Sequence, residues 1–262
     1  MVSSDIRALS AEETARRIDL ICLAAQIVLE NGGETYRVEE TAQRMAKGFG
    51  LGNLSIAAFP TSIFIEADEK ARVRRISRRG TNLTRLTLVN DVSRRVERGA
   101  MEAAEAESSL KRIAELEGPN LPTQILASGL AGASFSLLFG GGVGSFIVAF
   151  IAGMLAQAVQ PLFSHMEMGV LFGNFIGGML TAVLAETVGV FIPYGSVNAA
   201  IVGSIMPLLS GLLITNAVRD TMYGDLVSGL TRALEALLLA AFTALGVYAG
   251  LSLFAMMGGK LL

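Results

Sequence analysis

The densest group of residues able to bind or gate a charged solute is Thr215-Asn216-Ala217-Val218-Arg219-Asp220, followed by Tyr223-Gly224-Asp225, Ser228-Gly229, Arg232 and Glu235. An Asn and an Arg at the end of one helix, with Asp, Gly and Ser before the next, offer donors for a carboxylate and acceptors for an ammonium group. The same residues also suit a plain loop whose salt bridges tie two helix ends together. Glu186, in Leu184-Ala185-Glu186-Thr187-Val188, lies in a long apolar run. A carboxylate at the bilayer centre costs about 2.5 to 3.5 kcal/mol, so Glu186 is either an interfacial glutamate that reaches water or a proton acceptor or substrate contact. Gln157, Gln160, Asn174, Asn198 and Asn216 are further polar residues in apolar segments, suited to hydrogen bonds between helices.

Enzyme chemistry fits poorly. The single His165 sits in a short loop with Pro161 and Glu167, without a Gly-x-Ser-x-Gly elbow around which a triad could form. No second histidine, and no cysteine besides Cys22, exists to complete a metal site of the N/S kind, so neither a metal nor a cofactor is expected. Gly140 to Gly144 lacks the Gly-Lys-Ser/Thr ending of a phosphate loop. Asp220 and Asp225 with Tyr223-Gly224 superficially resemble the pair of an intramembrane aspartyl protease, but both lie in one loop.

The elements that must position these groups follow from how charge is distributed. Residues 1–117 carry 18 Lys/Arg and 18 Asp/Glu, whereas residues 118–262 carry three Lys/Arg (Arg219, Arg232, Lys260) and five Asp/Glu (Glu167, Glu186, Asp220, Asp225, Glu235). Eight charges over that length could not furnish a water-facing surface, so two solvents are implied. Glycine divides the other way, with 7 in the first part and 22 in the second, as expected where small residues let membrane helices approach closely. The first part is net neutral and shows no clustered basic footprint, so nucleic acid is not an expected partner. The start, with Ser3, Ser4, Asp5, Arg7, Glu12 and Glu13, lacks an apolar stretch after a basic beginning, so no cleaved leader is expected. Cys22 falls on an apolar helical face and is expected to be a buried thiol.

Apolar residues at Ala15, Ile18, Ile21, Ala25 and Val28 predict an amphipathic helix over 14–29, stopped by Asn31-Gly32-Gly33. Val38, Ala42, Met45 and Phe49 predict a second helix. Runs at 54–59, 62–67 and 71–77, rich in Ile, Phe and Val, predict three strands of a meander. Thr81 and Asn82 can cap a third helix, and Gly99 separates it from a fourth over 101–117. The first 117 residues thus read as a cytoplasmic α+β domain. Gly118-Pro119-Asn120 and Pro122 mark the boundary. Beyond it, residues 118–262 read as a transmembrane helical domain with about five spans, near 121–139, 143–160, 168–190, 196–216 and 234–257, each close to the roughly 20 residues that cross a hydrocarbon core. The fold class is therefore a multi-pass α-helical membrane protein with an N-terminal α+β domain.

Lys111 and Arg112 precede the first span; with five spans Arg219 and Arg232 fall on the same side, and the opposite loops at 140–142 and 191–195 carry no basic residue. That asymmetry predicts a cytoplasmic N-terminal domain and an outside C-terminus, with Lys260 as the exception, a terminal lysine able to snorkel. Gly169, Gly173 and Gly177, and Gly246 with Gly250, recur every four residues and predict helix-packing faces.

Gly32-Gly33-Glu34-Thr35-Tyr36-Arg37-Val38-Glu39, taken with Thr215-Asn216-Ala217-Val218-Arg219-Asp220, Gly224-Asp225, Ser228-Gly229 and Arg232-Ala233-Leu234-Glu235-Ala236, resembles the threonine/serine exporter family over essentially the whole chain. The resemblance implies an inner-membrane transporter exporting small polar metabolites, threonine and serine in some members and a C4 dicarboxylate such as succinate in others. It also implies the larger half of a split pair, hence a second small membrane subunit or a homo-oligomer as partner besides the bilayer. Carried over, it points to Asn216, Arg219, Asp220 and Asp225 as a gate or substrate entry. It marks Glu34, Arg37 and Glu39, with Thr35 between them, as the first motif, where helix capping is an equal reading.

The expected function is a secondary exporter without nucleotide hydrolysis and without enzymatic activity. A rival from another class is a membrane-anchored sensor or scaffold whose α+β domain binds a ligand. Reporters fused at Met1 and at Leu262 are expected on opposite faces of the membrane, and signal from both on one face would sink the five-span arrangement.

Overall fold

The computed structural model describes residues 11–52, 54–67, 70–77, 80–163, 166, 169–191 and 195–258. His165, Glu167 and Lys260 lie outside the described residues. The chain divides into two compact units. The first runs to Gly118 and also takes in Thr215–Ala233; the second holds Pro119–Ile214 and the chain from Leu234 on.

In the first unit, α1 (Ala11–Glu30) and α2 (Thr35–Gly48) precede β1 (Leu54–Phe59), β2 (Ser62–Ala67) and β3 (Lys70–Arg75), and α3 (Leu83–Glu97) and α4 (Ala103–Glu115) follow. The three strands form a small antiparallel meander in the order β1-β2-β3, with Ile56 opposite Ile65 and Ala58 opposite Ile63. Alternation assigns the faces: Ile63, Ile65 and Ala67 are buried, whereas Phe64 is exposed. Ile18, Ile21, Val38, Met45, Val89, Val96 and Leu110 complete the core from the four helices. Cys22 is buried among them, and loss of hydration pushes its thiol up to about 11, so it is inert at neutral pH.

The α1–α2 turn is set by its glycines. Gly32 adopts a φ of 89° and donates to Leu29 O, while the Gly33 N–H reaches Val28 O at 2.9 Å, the two bonds of a Schellman closure. A Cβ on Gly33 would run into the Val28 side chain and carbonyl. Asn82 caps α3 by accepting from Arg85 N at 3.1 Å, as its residue type predicts.

In the second unit, α5 (Leu121–Leu138), α6 (Val143–Val159) with the 3-10 turn that continues it to Phe163, and α7 (Gly169–Phe191) are long and apolar enough to cross a membrane, as is α10 (Leu226–Met256). The bent pair α8 (Val197–Ile205) and α9 (Gly211–Met222) is a fifth span if counted as one. Outward residues such as Leu126, Leu130, Ile147 and Leu245 are exposed apolar side chains, which suits lipid rather than water. The chain is thus mostly helical, with four to five candidate spans.

Two expectations need correction. The segment at 196–216 is not one continuous helix: α8 gives way to a short 3-10 turn over Met206–Leu208, and α9 departs at 58°. Pro207 is the physical reason, because it lacks an N–H and its ring crowds the carbonyl four residues earlier. The final helix begins at Leu226 rather than near 234, so Ser228, Gly229 and Arg232 already sit on it rather than before it.

Glycines do pack the apolar helices, among them Gly246 and Gly250 at the expected every-fourth spacing and Gly178 and Gly203 outside it. A Cβ on Gly178 would meet Thr243 O at 2.5 Å, one on Gly250 would meet Met179 O at 2.5 Å, and Gly246 presses on the Phe175 carbonyl. Gly203 of α8 meets the Gly132 carbonyl of α5 in the same way, at 2.6 Å. Gly246→Leu should therefore force α7 and α10 apart and cost about 1–3 kcal/mol. Gly142→Ala, at a site with open space around it, is the control. Equal thermal stability of the two variants in detergent would refute this packing role.

Candidate functional site

Helix α2 begins without a cap of its own. Its N-cap residue, Glu34, has extended backbone and makes no side-chain capping bond, which leaves the first amide groups of the helix to be satisfied from elsewhere. Asp220 of α9 supplies the acceptor. Its Oδ1 receives the Thr35 N–H at 3.0 Å and the Thr35 hydroxyl at 2.9 Å across 185 residues of sequence. A carboxylate is well suited to the positive end of a helix dipole.

That carboxylate is buried, as is Arg232 of α10, whose Nε lies 2.9 Å from Asp220 Oδ2. The contact is an ion pair by distance without the alignment of a hydrogen bond. Arg232 also donates to Gly33 O at 2.8 Å, and Asn216 donates to Gly32 O at 2.9 Å. Arg219 pairs with Glu34, which also accepts an ion pair from Arg37 at 3.0 Å. Tyr36 and Tyr223 then stack, with centroids 4.0 Å apart and planes 12° from parallel. Everything from Gly32 to Tyr36 is thereby clasped by the α9–α10 hairpin within one compact unit.

Asp225 opens the hairpin's second helix: its N–H bonds Asp220 O at 2.9 Å and its Oδ1 accepts from Ser228 N at 3.2 Å. Gly224 makes the turn with a φ of 92°. Glu39 points elsewhere, accepting from Ala58 N on β1 at 3.2 Å. Burial pushes its carboxyl above the usual range, with the Ala58 amide pulling the other way and the Asp225 charge adding to the rise. Asn216 Oδ1 and Ser228 Oγ are buried with no hydrogen-bond partner among the described residues.

The two sequence motifs therefore meet, and the donors of Asn216, Arg219 and Arg232 are engaged by the chain's own carbonyls and by Glu34. Glu186 and Glu235 belong to the membrane unit, Glu186 buried on α7 and Glu235 half-buried on α10.

A second polar group stands in the membrane unit. At the α8–α9 break the Leu208 carbonyl accepts from Asn174 Nδ2 of α7 at 3.0 Å. Asn174 also donates to Thr243 Oγ1 of α10 at 3.2 Å and accepts from Gln160 at 3.0 Å. Asn174 and Gln160 stand out in the sequence as isolated polar residues in apolar helices. Thr243 carries no such signal, and neither does the Tyr36–Tyr223 stack. Among the described residues no three His, Cys, Asp or Glu side chains gather to hold a metal.

Comparison with known proteins adds identity to this geometry. The family model described as "Putative threonine/serine exporter" matches residues 19–254. A probable succinate transporter subunit of Klebsiella aerogenes is 26% identical, over 93% of this chain and 96% of the relative. Its Escherichia coli namesake is 24% identical, over 94% and 98%. A probable threonine/serine exporter of Mycobacterium tuberculosis is 23% identical over 89% of this chain, which spans 45% of that longer protein. No solved structure matches.

Asp220→Ala leaves Arg232 buried without its counter-ion and α2 without its cap, and should destabilise the protein by about 3–5 kcal/mol. Asp220→Asn retains an acceptor for the Thr35 N–H and should lose less. Thr35→Ala, which removes one hydroxyl donor, should cost about 1 kcal/mol. Thermal unfolding of the three variants checks that order, and an Asp220→Ala protein as stable as the parent would refute the capping account.

Proposed function

This chain belongs to the threonine/serine exporter family and is a multi-pass membrane exporter, and from that premise we propose that it moves a small carboxylate-bearing metabolite out of the cell by secondary transport. The cargo class is a C4 dicarboxylate such as succinate or an amino acid of the threonine/serine type. The near-full-length relatives described as succinate transporter subunits favour testing the dicarboxylate first. The word "subunit" in their names also supports a second small membrane protein as partner.

The observation that carries the transport reading is the broken α8–α9 segment with its buried polar support. In hydrocarbon an unsatisfied carbonyl costs several kcal/mol, so a helix is interrupted at membrane depth only where protein or a water-lined path satisfies it. Here Asn174 does so for the Leu208 carbonyl, held in turn by Gln160 and Thr243, and such discontinuous helices are the form in which transporters build solute sites. Glu186, almost fully buried on the neighbouring α7, is proposed as the carboxylate that carries a proton or contacts cargo. Asn216, Arg219, Asp220, Asp225 and Arg232, with Glu34, Thr35, Arg37 and Glu39 opposite, form the proposed gate, whose closed form is the clasp described above; Glu235 lies on the helix leading from it.

The proposed setting is the inner membrane, with the N-terminal domain in the cytoplasm and the C-terminus outside. Arg219 and Arg232 share a compact unit with that domain, which supports one basic side. With α8–α9 counted as one crossing, five spans put the ends on opposite faces.

The test uses membrane vesicles from the source cells with the gene intact, deleted, or restored as Glu186→Gln. Counter-flow of labelled succinate, threonine or serine should require the gene. Glu186→Gln should lower it about tenfold or more, equivalent to about 1.4 kcal/mol of barrier. A sensor or scaffold would tolerate that change. If none of the three solutes moves in a gene-dependent way while the protein is folded in the membrane, the transport reading is wrong.

A further inference from the structure

Tyr223 does more than stack on Tyr36. The two rings form one wall of a cavity of about 490 Å³ within the first unit, bounded on its other sides by α2 and α3. That volume lies in the roughly 300–1,000 Å³ range of small-molecule sites. Its lining is cationic: Arg37 and Arg44 come from α2 and Arg94 from α3, against the single carboxylate of Glu40.

The three arginines are not equally committed. Arg44 is tied to Glu40 and to Asn90 Oδ1, the latter at 3.0 Å. Arg37 pairs with Glu34 and donates to the Tyr36 hydroxyl at 3.2 Å. Arg94 makes no side-chain hydrogen bond or ion pair among the described residues. Each guanidinium has five N–H donors in a fork that matches carboxylate and phosphate oxygens, so Arg37 and Arg44 keep donors to spare. Basic residues in the last turn of α3 suit that helix's dipole, which accounts for Arg94 and its neighbour Arg95 but not for two arginines of α2 lining the same hollow.

We propose that this cavity is a binding site for a small organic dianion, gripped by Arg94 and the free donors of Arg37 and Arg44, with its body against the Tyr36–Tyr223 rings. A zwitterion such as threonine offers no net charge to this lining and is excluded by its ammonium group. Tyr36 follows the capped Thr35, and Tyr223 lies one helical turn beyond Asp220, so an occupant spanning α2, α3 and Tyr223 tightens the clasp between loop and hairpin. The site belongs wholly to the first unit and does not depend on which solute the membrane unit carries.

Two sources share this chemistry, a dicarboxylate and a phosphorylated metabolite, and succinate and inorganic phosphate are the probes. The chain contains no tryptophan and four tyrosines, two of them the stacked pair, so tyrosine fluorescence of the Tyr194→Phe, Tyr248→Phe protein in detergent reports on that pair. A saturable change with succinate, phosphate or both, absent with threonine, is expected. Succinate alone assigns a dicarboxylate and phosphate alone a phosphoryl group. Arg94→Gln should weaken binding about tenfold or more with an unchanged melting temperature, since a charge-assisted bond is lost and no internal bond is. Flux lost in the vesicle assay with dianion binding intact, or binding lost with flux intact, reads a failure of transport and a failure of this site separately. No saturation with either dianion, equal affinity for threonine, or unaltered binding by Arg94→Gln would overturn the proposal.

Discussion

A helix that cannot close its own N-terminus is the constraint from which the first unit's arrangement follows. Glu34 stands where a capping residue belongs, yet it faces Arg219 and Arg37, so the amide of Thr35 must find an acceptor from another part of the chain. Asp220 meets that need and creates another, because a carboxylate removed from water requires a counter-charge. Arg232 answers it and at the same time satisfies the carbonyl of Gly33. Each partner is therefore held in place by the requirement of the one before, and the 32–36 loop docks on the hairpin in a single register.

The membrane unit obeys a parallel rule with a different solvent. Helices there pack largely through glycine and alanine, because lipid offers no hydrophobic gain for association and close backbone approach supplies the contact. Gly178, Gly246 and Gly250 bring α7 and α10 together so tightly that Thr243 of one helix can bond Asn174 of the other. The same approach puts Asn174 within reach of the carbonyl exposed where Pro207 breaks the chain's course. Packing and polar satisfaction are thus one arrangement.

Much of the fold was legible residue by residue. Apolar spacing located α1, α2 and the three strands, Asn82 announced its own capping role, and the scarcity of charge after Gly118 marked the apolar spans. The kink between α8 and α9 was signalled by Pro207 but hidden by an apolar run of the right length for one crossing. Of the candidate residues, Asp220 and Arg232 were singled out by residue type, while the link from Asp220 to Thr35 left no local trace. Thr243 and the tyrosine pair are ordinary residues in their own segments and acquire meaning only from what lies opposite.

The sequence by itself therefore determined which stretches dissolve in water and which in lipid, where helices and strands begin, and which residues are too polar for their surroundings. Those properties depend on neighbours within a few positions, through backbone hydrogen bonding and side-chain periodicity. Only the tertiary structure decided that the two motifs face one another, that their donors meet the chain's own carbonyls, and that three arginines from two helices line one cavity. Such pairings join groups far apart along the chain, and an ion pair or a borrowed cap is specified by the geometry of both ends, which neither end encodes alone.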